Sequence, residues 1–360
     1  MQNVHSSHEK INILNDKDPS LTSNFILSQD KINILITGHC GYIGSALIKY
    51  LADEPFVRTI RGYDILDGDD ILDCDKLIRI MTIYDIHLVI HLAALSSVTI
   101  CNENPLIATK INGYGTNCIL RAMKETGCKH IIYASTSSVY GDQKSLPYTE
   151  DMKLSPCSAY GISKLLGEHA IYNHYDLQGN DGSYLIFRMF NVVGSAKLKD
   201  VDAKANPGYD RLFAALESGK ITIYGHDYDT RDGTCERDYV SLKDVCKSYI
   251  DGIRSIINKN RVRSTINICS GEPISVKYII YVWNYMSACI RDKDAGYEKC
   301  NQLPLVNYKY GSRRLGDPAK VYGSNTKALK VINWKPKRKI ERIIFGLALD
   351  KKFEGVHATK

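Results

Sequence analysis

No apolar run in this 360-residue chain approaches the roughly 18 residues a membrane span needs. The first 30 residues carry acidic side chains and lack the apolar stretch of a secretory signal, so a cytoplasmic location is the expectation. The eleven cysteines hold no C-x-x-C pair and no paired Cys/His spacing. Cys40, Cys74, Cys101, Cys118 and Cys128 are scattered, which argues against both a structural metal and a disulfide framework. Reduced thiols are expected instead, with Cys118 and Cys269 in the core. A net charge of +7 raises the question of nucleic acid, but much of the excess lies in short C-terminal clusters, Arg313-Arg314 and Lys335 to Lys339. Without a recognisable nucleic-acid module, a basic balance is weak evidence for such a partner.

What is present suits an ordinary globular protein: 44% hydrophobic and 24% charged residues, in a chain long enough for two lobes. Residues 1–30 show no periodicity and read as a tail or arm. From Lys31 onward, short apolar runs alternate with helical patterns. Strands are predicted over 33–37, 60–65, 88–92, 130–134 and 184–189, and helices over 43–51, 75–84, 105–126 and 158–175. That alternation predicts right-handed βαβ units and a Rossmann-type doubly wound parallel sheet, an α/β fold. The dinucleotide domain is expected over 31–195 with a later contribution from about 236–268. After Gly194 turn residues multiply, and 196–360 is expected to form a smaller, discontinuous, mixed α/β substrate lobe.

Ligands in such sheets bind beyond the carboxyl ends of the strands. Thr37-Gly38-His39-Cys40-Gly41-Tyr42-Ile43-Gly44 follows the first predicted strand and opens the first helix. Gly38 permits the tight turn, Gly41 a close approach of pyrophosphate, and Gly44 close packing of helix on strand. The helix N-terminus then offers free N–H groups and a positive dipole end to phosphates. The second strand ends at Asp64, where a carboxylate accepts hydrogen bonds from ribose hydroxyls and repels a 2′-phosphate, favouring NAD over NADP. Asp67, Asp69, Asp70 and Asp73 crowd the same stretch and mostly read as solvated.

Tyr160 and Lys164 form Y-x-x-x-K on one helical face. A phenol is a poor base at neutral pH, and a nearby ammonium together with a nicotinamide cation favours its phenolate. By itself the spacing is open to chance in a chain with 24 tyrosines. Thr136, in Ser135-Thr136-Ser137-Ser138-Val139-Tyr140-Gly141, follows another predicted strand and offers a hydroxyl to the same substrate oxygen.

Taken as an ordered set, the glycine turn, His91-Leu92-Ala93-Ala94, Asn112 with Gly115-Thr116, S-T-S-S-V-Y-G and Y-G-x-S-K resemble the extended short-chain dehydrogenase/reductase superfamily. Within it the UDP-glucose (UDP-galactose) 4-epimerases are most similar. That likeness continues through Phe190-Asn191, Ile223 to Tyr228, Asp232-Gly233-Thr234, Arg237 to Val240 and Arg313 to Asp317. The resemblance implies a tightly held NAD, transient oxidation of a UDP-sugar at C4, and a homodimer packed through the helices around 105–126 and 158–175. Tyr160 is implied as the base, Lys164 as the partner that tunes it and binds the nicotinamide ribose, and Thr136 as the ligand of the reacting oxygen. NAD positions are implied at Gly38, Gly41, Tyr42, Ile43, Gly44, Asp64, Asp70, Ile71, Leu92, Ala93, Ala94, Asn112 and Phe190. Substrate positions are implied at Thr136, Ser137, Ser138, Asn191, Tyr224, Arg237, Arg314, Asp317 and Val321. Two arginines from distant segments suit a diphosphate.

Departures from the family pattern are specific. Nucleotide-sugar 4,6-dehydratases carry Asp-Glu directly after the threonine, and decarboxylating relatives keep the glutamate. Ser137 and Ser138 stand there instead and cannot supply that acid and base. His39-Cys40 replace the smaller residues usual in the glycine turn, Ala159 replaces a common proline, and the stretch from Asp64 to Asp70 is short. The Asn-Asn-Leu signature that helps hold the diphosphate is not evident near Gly208 to Leu212. Val321 stands where relatives restricted to unacetylated sugars have tyrosine, which predicts room for an N-acetyl group. Two alternatives stay open: another reaction on the same scaffold, such as a 4-keto-sugar reductase, and an NAD-binding protein without chemistry.

Overall fold

The computed structural model describes residues 31–194, 211–259, 261–292, 305–314 and 317–357. The predicted arm at 1–30, the turn-rich 204–208 and Leu315-Gly316 lie outside these residues. The first half runs β1 (Ile32–Thr37), α1 (Tyr42–Leu51), β2 (Val57–Tyr63), α2 (Cys74–Ile83), β3 (Leu88–His91), α3 (Val98–Glu103), α4 (Pro105–Ala108), α5 (Gly115–Thr126), β4 (His130–Thr136), α6 (Ala159–Tyr172), β5 (Ser183–Met189) and β6 (Asn191–Val193). The second half runs α7 (Arg211–Ser218), β7 (Lys220–Tyr224), β8 (Glu236–Ser241), α8 (Leu242–Asn258), β9 (Arg263–Ile268), β10 (Pro273–Ser275), α9 (Val276–Asp292), β11 (Asn307–Gly311), β12 (Lys320–Val321), α10 (Thr326–Ile332) and α11 (Ile340–His357).

All six residues of β1 are buried, as a strand covered by helices on both faces requires. It sits inside a parallel sheet of order β2-β1-β3-β4-β5-β9. One face packs α1, α8 and α10 through Leu47, Ile253 and Ile332, and the other packs α2 and α5 through Leu77 and Ile119. Helix boundaries follow local chemistry. The Asp73 side chain accepts from the Lys76 amide to start α2, the Ser158 side chain accepts from Gly161 to start α6, and Gly127 at φ 75° ends α5.

Because β1 connects outward to β2 and the chain then crosses back to β3, the order reverses between β1 and β3. A crevice at the carboxyl ends of these strands is where ligands bind in this architecture. The short stretch after Asp64 has a visible consequence. Residues 65–67 form one 3₁₀ turn, and β2 is the outer strand of that sheet among the described residues.

Of the later contribution expected from 236–268, β9 extends the main sheet and α8 packs on it. In contrast, β8 belongs to a smaller sheet with β6, β10 and β12. Alongside it, β7 pairs with β11, and Phe213, Trp283 and Ile344 form a separate core. The expectation of scattered reduced thiols is corrected at one pair. Cys74 and Cys118 form a disulfide with their Cα atoms 4.9 Å apart. Their separation of 44 positions in the sequence conceals that α2 and α5 pack side by side on one face of the sheet.

Candidate active site

The glycine turn closes tightly over the ends of β1 and β3. Gly38 has φ +71°, and a Cβ there would lie 2.6 Å from the Ala93 amide nitrogen. At Gly44 a Cβ would lie 2.4 Å from the Gly38 carbonyl oxygen, so neither position takes a side chain without moving backbone. Gly41 caps α1 with no side-chain hydrogen bond, and the first turn carries no acidic residue. The first-turn N–H groups therefore face the crevice without a side-chain cap, as a pyrophosphate site requires. Tyr42, in that first turn, is buried and donates its hydroxyl to the Gly194 carbonyl at 2.5 Å.

Asp64, buried at the end of β2, accepts from the Cys40 amide at 3.1 Å and from the Leu66 amide at 3.0 Å. Its carboxylate is thereby fixed beside the turn, with lone pairs left for ribose hydroxyls. Asp70 does not join it: this exposed residue turns its carboxylate to the Leu72 amide at 2.9 Å. Ile71 is buried beneath Gly115, where a Cβ would come within 3.0 Å of it. The Cys40 thiol is pushed up to about 11 by burial and by the carboxylates of Asp64 and Asp67.

Tyr160 and Thr136 meet where β4 ends and α6 begins, and Lys164 follows Tyr160 by one helical turn in α6. Thr136 accepts from the Ser138 amide at 3.1 Å and lies 3.2 Å from the Ser138 hydroxyl, forming a short turn at Ser137–Val139. Gly161 lets α6 touch that turn, since a Cβ would lie 2.6 Å from the Ser138 carbonyl. Burial pushes the Tyr160 phenol up to about 12, while its hydrogen bond with Thr136 pulls the other way. Loss of hydration is the largest influence on this phenol. Burial likewise lowers Lys164 to about 7, opposed by Glu168. The Lys164 ammonium lies 4.2 Å from the centre of the Tyr133 ring.

A polar relay joins this centre to the glycine turn. Thr37 bonds His91 at 2.7 Å, and His91 bonds Thr116 at 3.1 Å. Thr116 donates to the Asn112 carbonyl at 2.7 Å, Asn112 donates to Ser163 at 2.9 Å, and Ser163 donates to the Tyr160 carbonyl at 2.8 Å. Asn112 also holds the loop after Ala94, through the Leu95 amide at 2.8 Å. Ala93 donates its amide to Thr37 at 3.2 Å, so the segment Leu92-Ala93-Ala94 is anchored beside Gly38.

In the smaller sheet Val321 pairs in register with Arg237, and Arg237 forms an ion pair with Asp317. Arg314 lies with its guanidinium 4.1 Å from the centre of the Tyr224 ring. Asn191, in β6, pairs with Tyr239 of β8. Phe190 is buried in a cluster with Val139, Tyr148 and Cys269, and Val321 packs against that cluster.

The chain's sequence from 34 to 269 matches the NAD dependent epimerase/dehydratase family. It belongs to that family. A UDP-glucose 4-epimerase of Oryza sativa subsp. japonica is 28% identical over 338 residues, covering 86% of this chain and 87% of the relative. The UDP-glucose 4-epimerase of Lactobacillus helveticus is 29% identical over 332 residues, covering 85% and 92%. The crystal structure of the Brucella ovis UDP-glucose 4-epimerase in complex with NAD superposes with a TM-score of 0.74 at 25% identity, covering 88% of this chain and 98% of that one. For a member of the NAD dependent epimerase/dehydratase family, the uncapped α1 N-terminus, the glycine cradle and the buried Asp64 fit the dinucleotide.

Sequence reasoning missed a second layer in this family member. Arg188 grips Glu168 at 3.0 and 2.7 Å, and Ser135 donates to Glu168 at 2.5 Å. Arg188 also donates to the Tyr140 hydroxyl at 3.2 Å, which donates to Asn267 at 2.7 Å. The available signal was spacing: Glu168 stands one helical turn beyond Lys164 on the same face. Among the described residues no helix is long and apolar enough to cross a membrane.

Proposed function

We propose that this chain is an NAD-dependent UDP-sugar 4-epimerase that interconverts UDP-glucose and UDP-galactose, and that its lobe accepts the N-acetylated pair. The observation that carries this reading is the meeting of Tyr160 and Thr136 at the end of β4, with serines rather than carboxylates beside them. Epimerisation at C4 needs one proton removed and returned at one oxygen. Elimination at C5 and C6 needs a further acid and base, which Ser137 and Ser138 do not supply.

Tyr160 takes the proton from the sugar 4-hydroxyl and gives it back to the same oxygen. Thr136 holds that oxygen through a hydrogen bond. Lys164 binds the nicotinamide ribose hydroxyls and lends positive charge to the phenol. Bound NAD would supply the hydride acceptor and a positive charge that favours the phenolate. Asp64 takes the adenosine ribose, Arg237 and Arg314 the diphosphate, and Tyr224 and Asn191 the uridine side. Asp317 fixes Arg237, and Val321 leaves space beside the sugar. The division of the chain into a dinucleotide domain at 31–195 and a sugar-nucleotide lobe at 196–360 belongs to the same reading, as does a cytoplasmic location.

A homodimer is supported by an apolar surface on α4, the turn at 109–114 and α6. Leu106 is 84% exposed, Ile107, Tyr114, Ile162 and Leu166 are also exposed, and Leu106, Tyr114 and Leu166 line a groove of about 500 Å³. Sedimentation of the purified protein tests this: a monomer at micromolar concentration removes it.

The decisive experiment is incubation of the purified protein with UDP-glucose, without added cofactor. UDP-galactose is the expected product. A 4-keto-6-deoxy product overturns the reading. Turnover of UDP-glucose with none of UDP-N-acetylglucosamine removes the N-acetyl part alone.

A further inference from the structure

His39 and Cys40, which replace the small residues usual in the glycine turn, do not point idly into solvent. The His39 Nε2 lies 3.5 Å from the Cys40 Sγ and 3.1 Å from Oδ2 of Asp67, and the Cys40 Sγ lies 3.9 Å from that same carboxylate oxygen. Asp64 stands next to them. Ligand atoms of His39, Cys40 and Asp64 all fall within 4.8 Å of one another. Two segments thus converge, the turn after β1 and the 3₁₀ turn after β2, and they bring one imidazole, one thiol and two carboxylates to one place.

We propose that His39, Cys40 and Asp67, with Asp64 as the fourth donor, form a zinc(II) site at the outer end of the glycine turn. Zinc bonds of about 2.3 Å to sulfur and about 2.0–2.2 Å to nitrogen and oxygen set donor separations of roughly 3.3–3.6 Å around a tetrahedron. The three separations above bracket that range, so small side-chain adjustments bring these three donors around an ion, and the Asp64 carboxylate completes the set from within 4.8 Å of the His39 and Cys40 ligand atoms. Thiolate with imidazole selects zinc over magnesium or calcium, which prefer oxygen alone. On coordination the Cys40 thiol loses its proton to solvent, and His39 binds as neutral imidazole. His39 is only 19% exposed and Asp67 is 48% exposed, so the ion enters from the Asp67 side.

A simple ion pair of His39 with Asp67 accounts for one of these contacts. It does not account for the thiol placed against both groups. The site also carries a consequence for the proposed function, resting on the assignment of Asp64 to the adenosine ribose. A carboxylate committed to zinc accepts fewer hydrogen bonds from ribose hydroxyls, so zinc and the dinucleotide oppose each other's binding.

The test is a cobalt(II) titration of the full chain, purified and stripped of dinucleotide, at neutral pH, followed by absorbance. A thiolate-to-cobalt charge-transfer band with tetrahedral d–d bands is expected at one equivalent. It should vanish in Cys40→Ser and in His39→Ala and persist in Cys157→Ser, which alters an exposed cysteine outside the cluster. Circular dichroism confirms that the variants fold. Absence of the band in the wild type, or its survival in folded Cys40→Ser, overturns the site. Saturating NAD should raise the cobalt concentration at half-saturation by about tenfold or more. An unchanged titration overturns the antagonism and leaves the metal site standing. Failure of the wild-type protein to bind NAD counts against the cofactor reading, and the Cys40 and His39 results stay independent of it.

Discussion

Arg188 and Glu168 form a two-pronged ion pair wholly inside the protein, at 3.0 and 2.7 Å, one helical turn beyond Lys164. Glu168 is 0% and Arg188 3% exposed, so neither charge has water to fall back on. Burying both charges is costly in itself, and removing one partner leaves the other uncompensated. Arg188→Met should therefore destabilise the fold by about 3–5 kcal/mol. The double variant Arg188→Met with Glu168→Leu should recover part of that loss. Urea midpoints of the two variants and the wild type check this; equal losses in single and double variants would contradict a compensated pair.

Tyr160→Phe removes one hydroxyl and leaves the ring in place. If Tyr160 moves the O4 proton, kcat should fall about 10²–10⁴-fold. Dinucleotide bound to the purified protein should remain, because Lys164, Asp64 and the glycine turn are untouched. Turnover and the absorbance of released cofactor are the two readouts. Retained turnover would refute the assigned base.

The main architecture was legible in the sequence because its signals are local. An apolar run such as Ile32–Thr37 buried on both faces, followed by glycine, reads the same before and after folding. Tyr160 and Lys164 were legible through helical spacing, and Asp64 through its position at a strand end. The Arg188–Glu168–Ser135 cluster and the Cys74–Cys118 bond were not, because their partners come from separate elements that only tertiary packing brings together. The depth of the phenol and the ammonium is hidden from the sequence for a related reason. Sequence spacing shows the lysine nearby but not the depth at which both groups lie, and burial decides the sign.

His91 offers a pH signature. Burial, and to a smaller degree the charge on Lys164, push it down to about 3, so it stays neutral between Thr37 and Thr116. In the unfolded chain the same imidazole takes a proton near its ordinary value of about 6.5. Between these values the unfolded state holds the extra proton, so stability is fully present above about 6.5 and is lost as pH falls toward about 3. His91→Gln should flatten the fall in urea midpoint between neutral and mildly acid pH. A variant with the wild-type pH slope would show that other groups carry the effect.

Asp64→Asn tests the cofactor preference with little change of shape. The carboxylate accepts from Cys40 and Leu66 through different oxygens, and an asparagine keeps only one acceptor. Hydrogen bonds to a charged group contribute about 1.5–3 kcal/mol, so NAD affinity should fall by roughly 10- to 100-fold. The negative charge that repels a 2′-phosphate disappears at the same time. NADP should therefore lose less affinity than NAD, or gain some. Equilibrium titration of cofactor-stripped protein with both dinucleotides measures the ratio. Parallel losses for the two would mean that Asp64 acts by shaping the turn at Cys40, and that the preference for NAD lies elsewhere in the crevice.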